Sequence, residues 1–164
     1  MEYISSTYEI LALKCMDESI DERHSNWAVE MLQAGFETDH LASLVLLDKP
    51  IDQFEIKHLV DVILDELKLD YSKCHKIIYE YTSYLIQQFL LKRNSAEKLL
   101  CQIQRLYLFL DYDYELSPFY LLYHAKIDLD SNGYQHYYDG ANSENIELKI
   151  FDECMDWLEN YPIN

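Results

Sequence analysis

Glycine and proline are scarce in this sequence, and their scarcity limits the folds that the chain can adopt. Only three of each occur among 164 residues. An all-β fold needs many tight turns, where glycine and proline are the usual residues, and disordered chains are rich in proline and poor in apolar residues. Here 49% of the residues are apolar, which is enough for a buried core, and they recur at helical spacing. The sequence therefore predicts an all-α fold.

The number of predicted helices suits one compact domain. Apolar periodicity, capping residues and short links predict seven or eight helices in a bundle-like arrangement. A chain of 164 residues has the usual length of one domain and buries roughly two-thirds of its unfolded surface. We therefore expect residues 1–164 to form a single α-helical domain.

Some helix boundaries can be predicted from particular residues. Asp52 and Glu55 have the spacing of a capping box at the start of the fourth helix, and Phe54 is expected on its inward face. Ser117 is the expected N-cap of the seventh helix, because a proline follows it. This helix should end near Leu129, where a stretch rich in Asp, Asn and Gly begins.

The charge of the chain restricts its partners. It has 30 acidic and 13 basic residues, which gives a net charge of −17. A surface that binds nucleic acid or an anionic membrane must be basic, so neither is an expected partner. A basic protein would be attracted, and its association would be accelerated. The charge is also segregated: residues 1–70 carry −11, residues 71–110 carry +4, and residues 111–164 carry −10.

The cysteines and the start of the chain predict a cytoplasmic protein. No two cysteines are close in sequence, and no C-x-x-C motif occurs. The first residues lack the basic and apolar regions of a signal peptide, and no stretch is apolar enough to span a membrane. We therefore expect four reduced thiols, mostly packed as small apolar groups.

Metal sites are suggested by spacing alone and are not expected. Residues 128–139 match part of a calcium-binding EF-hand loop, but Gln135 stands where an apolar residue is usual. An ordinary turn is the preferred interpretation. Glu55-x-x-His58 and Glu37-x-x-His40 have the spacing used in di-metal helical bundles, but Glu37 is expected to lie before a helix.

No catalytic constellation is evident either. Three glycines can hardly make a phosphate-binding loop, and no histidine lies at a known nucleophile spacing from a cysteine or serine. His124 precedes Asp128 by one helical turn, which a surface ion pair explains better than a catalytic pair. We expect the chain to be no enzyme and to bind no cofactor and no metal.

Two predicted loops combine carboxylates with tyrosines. Residues 111–115 follow the sixth helix, and residues 130–142 follow the seventh. Loops held by rigid helices often carry recognition sites, where tyrosines supply contact area and carboxylates attract a basic partner. The alternative is that these rings fold back over the helix ends. The candidate partner-binding residues are Asp111, Tyr112, Asp113, Tyr114, Glu115, Tyr137, Tyr138 and Asp139.

Two groups of residues carry a resemblance to known proteins. The first is Trp27-Ala28-x-x-Met31-Leu32-x-x-Gly35-x-x-Thr38-x-x-Leu41-Ala42-x-Leu44. The second is Pro118-Phe119-Tyr120-x-Leu122-x-x-Ala125, with Gly133-Tyr134-Gln135-x-Tyr137-Tyr138 and Asn145-Ile146. Together they cover about half of the chain and resemble small, acidic, all-helical bacterial proteins of the toxin-immunity type. The resemblance implies a protein that neutralises a neighbouring toxin.

The sequence thus favours a non-catalytic binding protein with a basic protein partner. The specific hypothesis is an immunity protein that blocks a basic toxin, for example a nuclease, by placing carboxylates where phosphates would bind. One alternative is a regulatory or scaffold protein that binds another protein through apolar helix faces. Another is a metal-dependent enzyme whose site is assembled from scattered residues.

Overall fold

Eight α-helices account for most of the chain that the structure describes. The computed structural model describes residues 3–46 and 52–163, and no strand occurs within these two ranges, which confirms the all-α fold. A short 3-10 turn, Tyr114–Leu116, lies between the sixth and seventh helices. The helices are α1 (Thr7–Cys15), α2 (Glu22–Gln33), α3 (Leu41–Val45), α4 (Gln53–Glu66), α5 (Cys74–Leu90), α6 (Ala96–Phe109), α7 (Ser117–Asn132) and α8 (Ile146–Asn160).

Asp52 is the N-cap of α4, as predicted, but the inward face of this helix is not the predicted one. The Asp52 carboxylate accepts hydrogen bonds from the backbone N–H groups of Phe54 and Glu55, at 2.8 and 3.4 Å. Phe54 itself is 85% exposed, so its predicted inward position is wrong. Two residues correspond to about 200° around a helix, and the buried face of α4 begins two residues later. That face consists of Ile56, Val60, Ile63 and Leu64.

Helix α7 is longer than predicted at its C-terminal end. It begins at Ser117, with Leu116 as the N-cap residue, so Ser117 is not the cap. It continues to Asn132 and ends at Gly133, whose φ of 76° is in the left-handed region that glycine adopts without strain. The expected end near Leu129 was too early, because the run of Asp, Ser and Asn residues stays helical until that glycine.

The chain divides into two compact units, Met1–Ile77 (unit 1) and Ile78–Asn164 (unit 2), and the division falls within α5. In unit 1, α1 packs against α2, α2 against α3, and α3 against α4. The largest fully buried side chains of unit 1 are Ile10, Leu13, Trp27, Met31, Leu41, Leu44, Ile63 and Leu64. The single domain over residues 1–164 stays a prediction, because a division of contacts does not test whether either unit folds alone.

A disulfide in unit 1 joins Cys15, at the end of α1, to Cys74, at the start of α5. The prediction of four reduced thiols is therefore wrong for this pair. Their Cα atoms lie 5.5 Å apart, although 59 positions separate them in sequence, so no local spacing indicates the pairing. Cys101 is exposed, and Cys154 is buried with its pKa raised to about 12 by that burial.

In unit 2, α6 packs against α7 and α7 packs against α8. Trp157 of α8 is fixed by a buried hydrogen bond of 2.8 Å from its indole N–H to the Ser83 hydroxyl of α5. That hydroxyl donates in turn to the backbone carbonyl of Tyr161, at 2.7 Å. Among the described helices of both units, none is long and apolar enough to cross a membrane.

Candidate partner-binding surface

The first predicted segment leaves α6 through a strained turn. Asp111 and Tyr112 have φ values of 54° and 67°, in the left-handed region that residues other than glycine rarely adopt. Each such residue costs on the order of 1 kcal/mol or more. The turn is held by a hydrogen bond of 3.0 Å from the Tyr112 N–H to the Tyr107 carbonyl. It leaves the side chain of Tyr112 64% exposed.

Asp113 serves the fold of this segment. Its carboxylate accepts hydrogen bonds from the backbone N–H groups of Glu115 and Leu116, at 3.0 and 3.3 Å, and so caps the 3-10 turn. It also accepts from the Tyr79 hydroxyl of α5, at 2.9 Å. The pKa of Tyr79 is raised by burial and by this bond. Asp113 therefore positions the segment, whereas Asp111 and Tyr114 are exposed, as is Glu115, whose carboxylate accepts a hydrogen bond from the Tyr161 hydroxyl.

The second predicted segment lies in the loop between α7 and α8. The Gln135 side chain organises this loop, because its oxygen accepts from the N–H groups of Tyr137 and Tyr138, at 2.7 and 2.9 Å. Its amide nitrogen donates to the carbonyls of Tyr138 and Ala141, at 2.7 and 2.9 Å. These four bonds fix the backbone on which Tyr137 and Asp139 are presented.

Tyr138 is used internally. Its hydroxyl donates to the Glu153 carboxylate of α8, and the ring is half-buried. Burial and this bond to a carboxylate raise the pKa of Tyr138. The residue therefore ties the loop to α8, while Tyr137 and Asp139 on either side of it are exposed.

A continuous row of aromatic rings joins the two segments. The Tyr112 ring meets Tyr107 of α6 edge-on at 5.6 Å between centroids, and Tyr107 stacks on Tyr120 of α7 at 4.5 Å. Tyr120 meets His124, one turn along α7, at 4.6 Å. His124 lies 5.1 Å from Tyr137. We call these five residues the aromatic row, and such ring pairs contribute about 0.5–1.5 kcal/mol each beyond their buried area.

Three members of the aromatic row were missing from the sequence prediction. Tyr107, Tyr120 and His124 lie on helices, whereas the prediction considered only loop residues. A signal existed for two of them, because Tyr120 and His124 are four residues apart and share a helix face. The contact between Tyr107 and Tyr120 crosses from α6 to α7, so no local spacing indicates it.

Exposed carboxylates lie beside both ends of the aromatic row. Asp111 adjoins Tyr112 in sequence, and Asp139 is two residues beyond Tyr137. Residues 111–164 contain twelve acidic and two basic residues. One of those bases, Lys126, is already engaged by Asp130 and Glu147, at 3.2 Å from each. Each end of the row is therefore flanked by an exposed carboxylate, Asp111 at one end and Asp139 at the other.

The residues whose spacing suggested an EF-hand loop or a di-metal site do not adopt the arrangement that either site needs. Asp128 and Asp130 lie within α7, so the loop that an EF-hand requires does not begin there. Glu37 precedes α3, as predicted, and His40 contacts Glu66 through Nδ1 at 2.6 Å. Within residues 3–46 and 52–163, no group of three His, Cys, Asp or Glu side chains could hold a metal ion.

Comparison of the chain with protein-family models, with curated proteins and with solved structures gives no match. The resemblance to toxin-immunity proteins therefore stays a prediction that depends on the residues quoted for it.

Proposed function

We propose that the chain is a non-catalytic binding protein that contacts a basic protein through the aromatic row and its neighbouring carboxylates. The observation that supports this most is the continuity of the row, which connects residues 111–115 with residues 137–139 in unit 2. Tyrosine supplies a large contact area at low cost in side-chain entropy. Carboxylates accelerate the encounter with a basic surface.

The specific form of the proposal is an immunity protein that neutralises a basic bacterial toxin by occlusion. Asp111, Glu115 and Asp139 would occupy positions where phosphates of a nucleic acid substrate bind, and the exposed tyrosines would anchor the contact. This form rests on the resemblance, on the net charge of −17 and on the exposed carboxylates. The proposal includes no catalytic step and no metal, nucleic acid or membrane partner.

The proposed location is the cytoplasm, and the Cys15–Cys74 disulfide allows a direct test of it. Disulfides persist in oxidising compartments and are rare where glutathione keeps thiols reduced. Rapid alkylation in intact host cells, followed by mass spectrometry, reports the state of this pair. Reduced Cys15 and Cys74 in the cell would support a cytoplasmic location, whereas an intact disulfide would contradict it.

The test of the proposed contact is charge reversal at the exposed carboxylates. Asp111→Lys, Glu115→Lys and Asp139→Lys are combined, and Asp113 is left intact because it caps the 3-10 turn. The partner is captured from the native host, purified, and its association rate measured by stopped flow at low and high salt. We expect association with the triple variant to be about tenfold slower or more at low salt, with little difference at high salt.

A matched control makes the same change of charge elsewhere. Glu37→Lys, Asp39→Lys and Glu55→Lys reverse three exposed acids of unit 1 and should leave most of the low-salt association rate intact. Tyr112→Ala and Tyr137→Ala should act mainly by accelerating dissociation. If the triple variant at residues 111, 115 and 139 associates as fast as the control variant, this surface is not the contact.

A further inference from the structure

Helix α8 presents a second apolar face to solvent. Leu148, Phe151 and Met155 are 60, 44 and 40% exposed. They are spaced by three and four residues and therefore share one side of the helix. We call these three residues the α8 stripe. The buried side of the helix is a different set, namely Ile146, Ile150, Cys154 and Trp157.

The α8 stripe is bordered by exposed acidic residues. Asp152 follows Leu148 by four positions and precedes Met155 by three, so it adjoins both. Glu159 adjoins Met155 one turn further along the helix, and Asp156 directly follows Met155 in sequence. Asp152 and Asp156 repel each other at a spacing of four residues, which destabilises a helix by a few tenths of a kcal/mol. Lys149, half-buried and next to Leu148 in sequence, is the one basic residue of α8, so the border carries more acidic than basic groups.

We propose that the α8 stripe docks an amphipathic helix of a partner protein, with apolar residues against the stripe and lysines or arginines against the acidic border. Charge complementarity selects this occupant. A second copy of the chain would bring Asp152 and Asp156 against the same carboxylates, which like-charge repulsion disfavours. Met155 suits the role, because its unbranched thioether adapts to different apolar neighbours. An amphipathic helix laid on an apolar face is a recurrent mode of peptide recognition.

The α8 stripe shares no residue with the aromatic row, so the two surfaces can be tested separately. The probe is a synthetic peptide of about five helical turns, with leucines on one face and lysines on the other. Its binding to the whole protein is measured by isothermal titration calorimetry. A peptide with glutamates in place of the lysines is the control for charge. We expect the lysine peptide to bind and the glutamate peptide not to bind.

Substitutions distinguish docking on the stripe from general attraction to an acidic protein. Phe151→Ser combined with Met155→Ser should weaken binding of the lysine peptide about tenfold or more, as loss of central apolar contacts does. Ile127→Ser on α7 changes a residue that is also exposed, at 43%, and should change binding less than about twofold. Asp152→Lys combined with Asp156→Lys should weaken binding and reduce its dependence on salt. Circular dichroism checks that each variant keeps its helices.

Three outcomes would overturn the proposal. One is that the Phe151→Ser, Met155→Ser double variant (the serine variant) binds the lysine peptide as tightly as the parent does. The peptide is then attracted to the acidic protein in general and not to the α8 stripe. Another is that Tyr112→Ala and Tyr137→Ala abolish the binding while the serine variant keeps it, which places the peptide on the aromatic row and leaves the proposed function standing. The third is that the parent dimerises in sedimentation experiments and the serine variant is monomeric, because the occupant is then a second copy.

Discussion

Residues of the same type within one short segment differ in role because of partners that are remote in sequence. Asp111 and Asp113 are two positions apart, yet Asp111 is exposed and Asp113 caps a 3-10 turn and binds Tyr79. Tyr137 and Tyr138 are neighbours, yet only Tyr138 is tied to Glu153. The sequence predicted all four as contact residues, because neither Tyr79 nor Glu153 could be assigned to them before the fold was known.

At the scale of a single residue, His24 should make the free energy of unfolding depend on pH. It is 1% exposed, and its Nδ1 atom accepts a hydrogen bond of 3.4 Å from the Asp21 N–H at the start of α2. Burial lowers its pKa below the ordinary value of 6.5. The unfolded chain therefore binds the proton more readily, and the free energy of unfolding should fall as the pH drops below about 6.5.

The measurement is the urea midpoint of unfolding at pH 7.5 and at pH 5.5. His24→Gln keeps an acceptor at the third helical position, as in a capping box, but it does not titrate. The variant should lose less stability between these pH values than the parent. His136→Gln changes an exposed histidine and should behave like the parent. Equal losses in the parent and in His24→Gln would contradict the assignment.

At the scale of helices and loops, prediction succeeded where the signals are local. The N-cap at Asp52 is contained in a few residues and identifies the start of α4, whereas the end of α7 at Gly133 was placed too early, near Leu129. The predicted inward position of Phe54 failed because Phe54 lies about 200° around the helix from Ile56, where the buried face begins, and is therefore out of phase with that face. Two of the five residues of the aromatic row were predicted, because the loop residues Tyr112 and Tyr137 lie among carboxylates and tyrosines, whereas its three helical residues were not considered.

The loop between α7 and α8 should depend on one side chain for its order. Replacing Gln135 by alanine removes all four of its hydrogen bonds to the loop backbone. We expect the amide hydrogens of Tyr137 and Tyr138 to exchange faster with solvent, because their acceptor is lost. The melting temperature should fall only slightly, since the helices are unaffected. Hydrogen exchange read by NMR is the measurement.

Gln135→Glu provides a matched control for this loop. A glutamate keeps the oxygen that accepts from the two tyrosine N–H groups, but it cannot donate to the carbonyls of Tyr138 and Ala141. Protection of the two amides should therefore be largely retained. Unchanged exchange in Gln135→Ala would show that the loop is ordered by other contacts.

At the scale of the whole molecule, the Cys15–Cys74 disulfide is the feature that sequence reasoning missed. Covalent pairing depends on two side chains meeting after the chain has folded, and these two are 59 positions apart. Helical periodicity does not indicate which cysteines come close together in the folded chain. By contrast, the all-α class depends on composition and period summed over the chain, and it was predicted correctly.

The disulfide should stabilise the folded chain substantially. Closing a loop of this length reduces the entropy of the unfolded chain by an amount worth about 4 kcal/mol. We expect Cys15→Ala combined with Cys74→Ala to lower the free energy of unfolding by a comparable amount. Urea unfolding of the oxidised parent and of this variant measures the difference.

Cys101→Ala is the control, because this exposed thiol is outside the disulfide and its loss should change stability little. A reductant should lower the melting temperature of the parent and leave that of the double variant unchanged. Thiol titration of the denatured, unreduced parent should find two free groups, Cys101 and Cys154. Four free groups, or equal stability of parent and double variant, would contradict a stabilising disulfide.

The backbone at Tyr112 has a consequence for how this sequence changes over evolutionary time. Its φ of 67° suits glycine, but a glycine would also remove the edge-on contact between the Tyr112 and Tyr107 rings. Selection for an unstrained turn alone would therefore replace the tyrosine. Its retention in related lineages would record a selective pressure that acts on the ring itself and not on the turn that carries it.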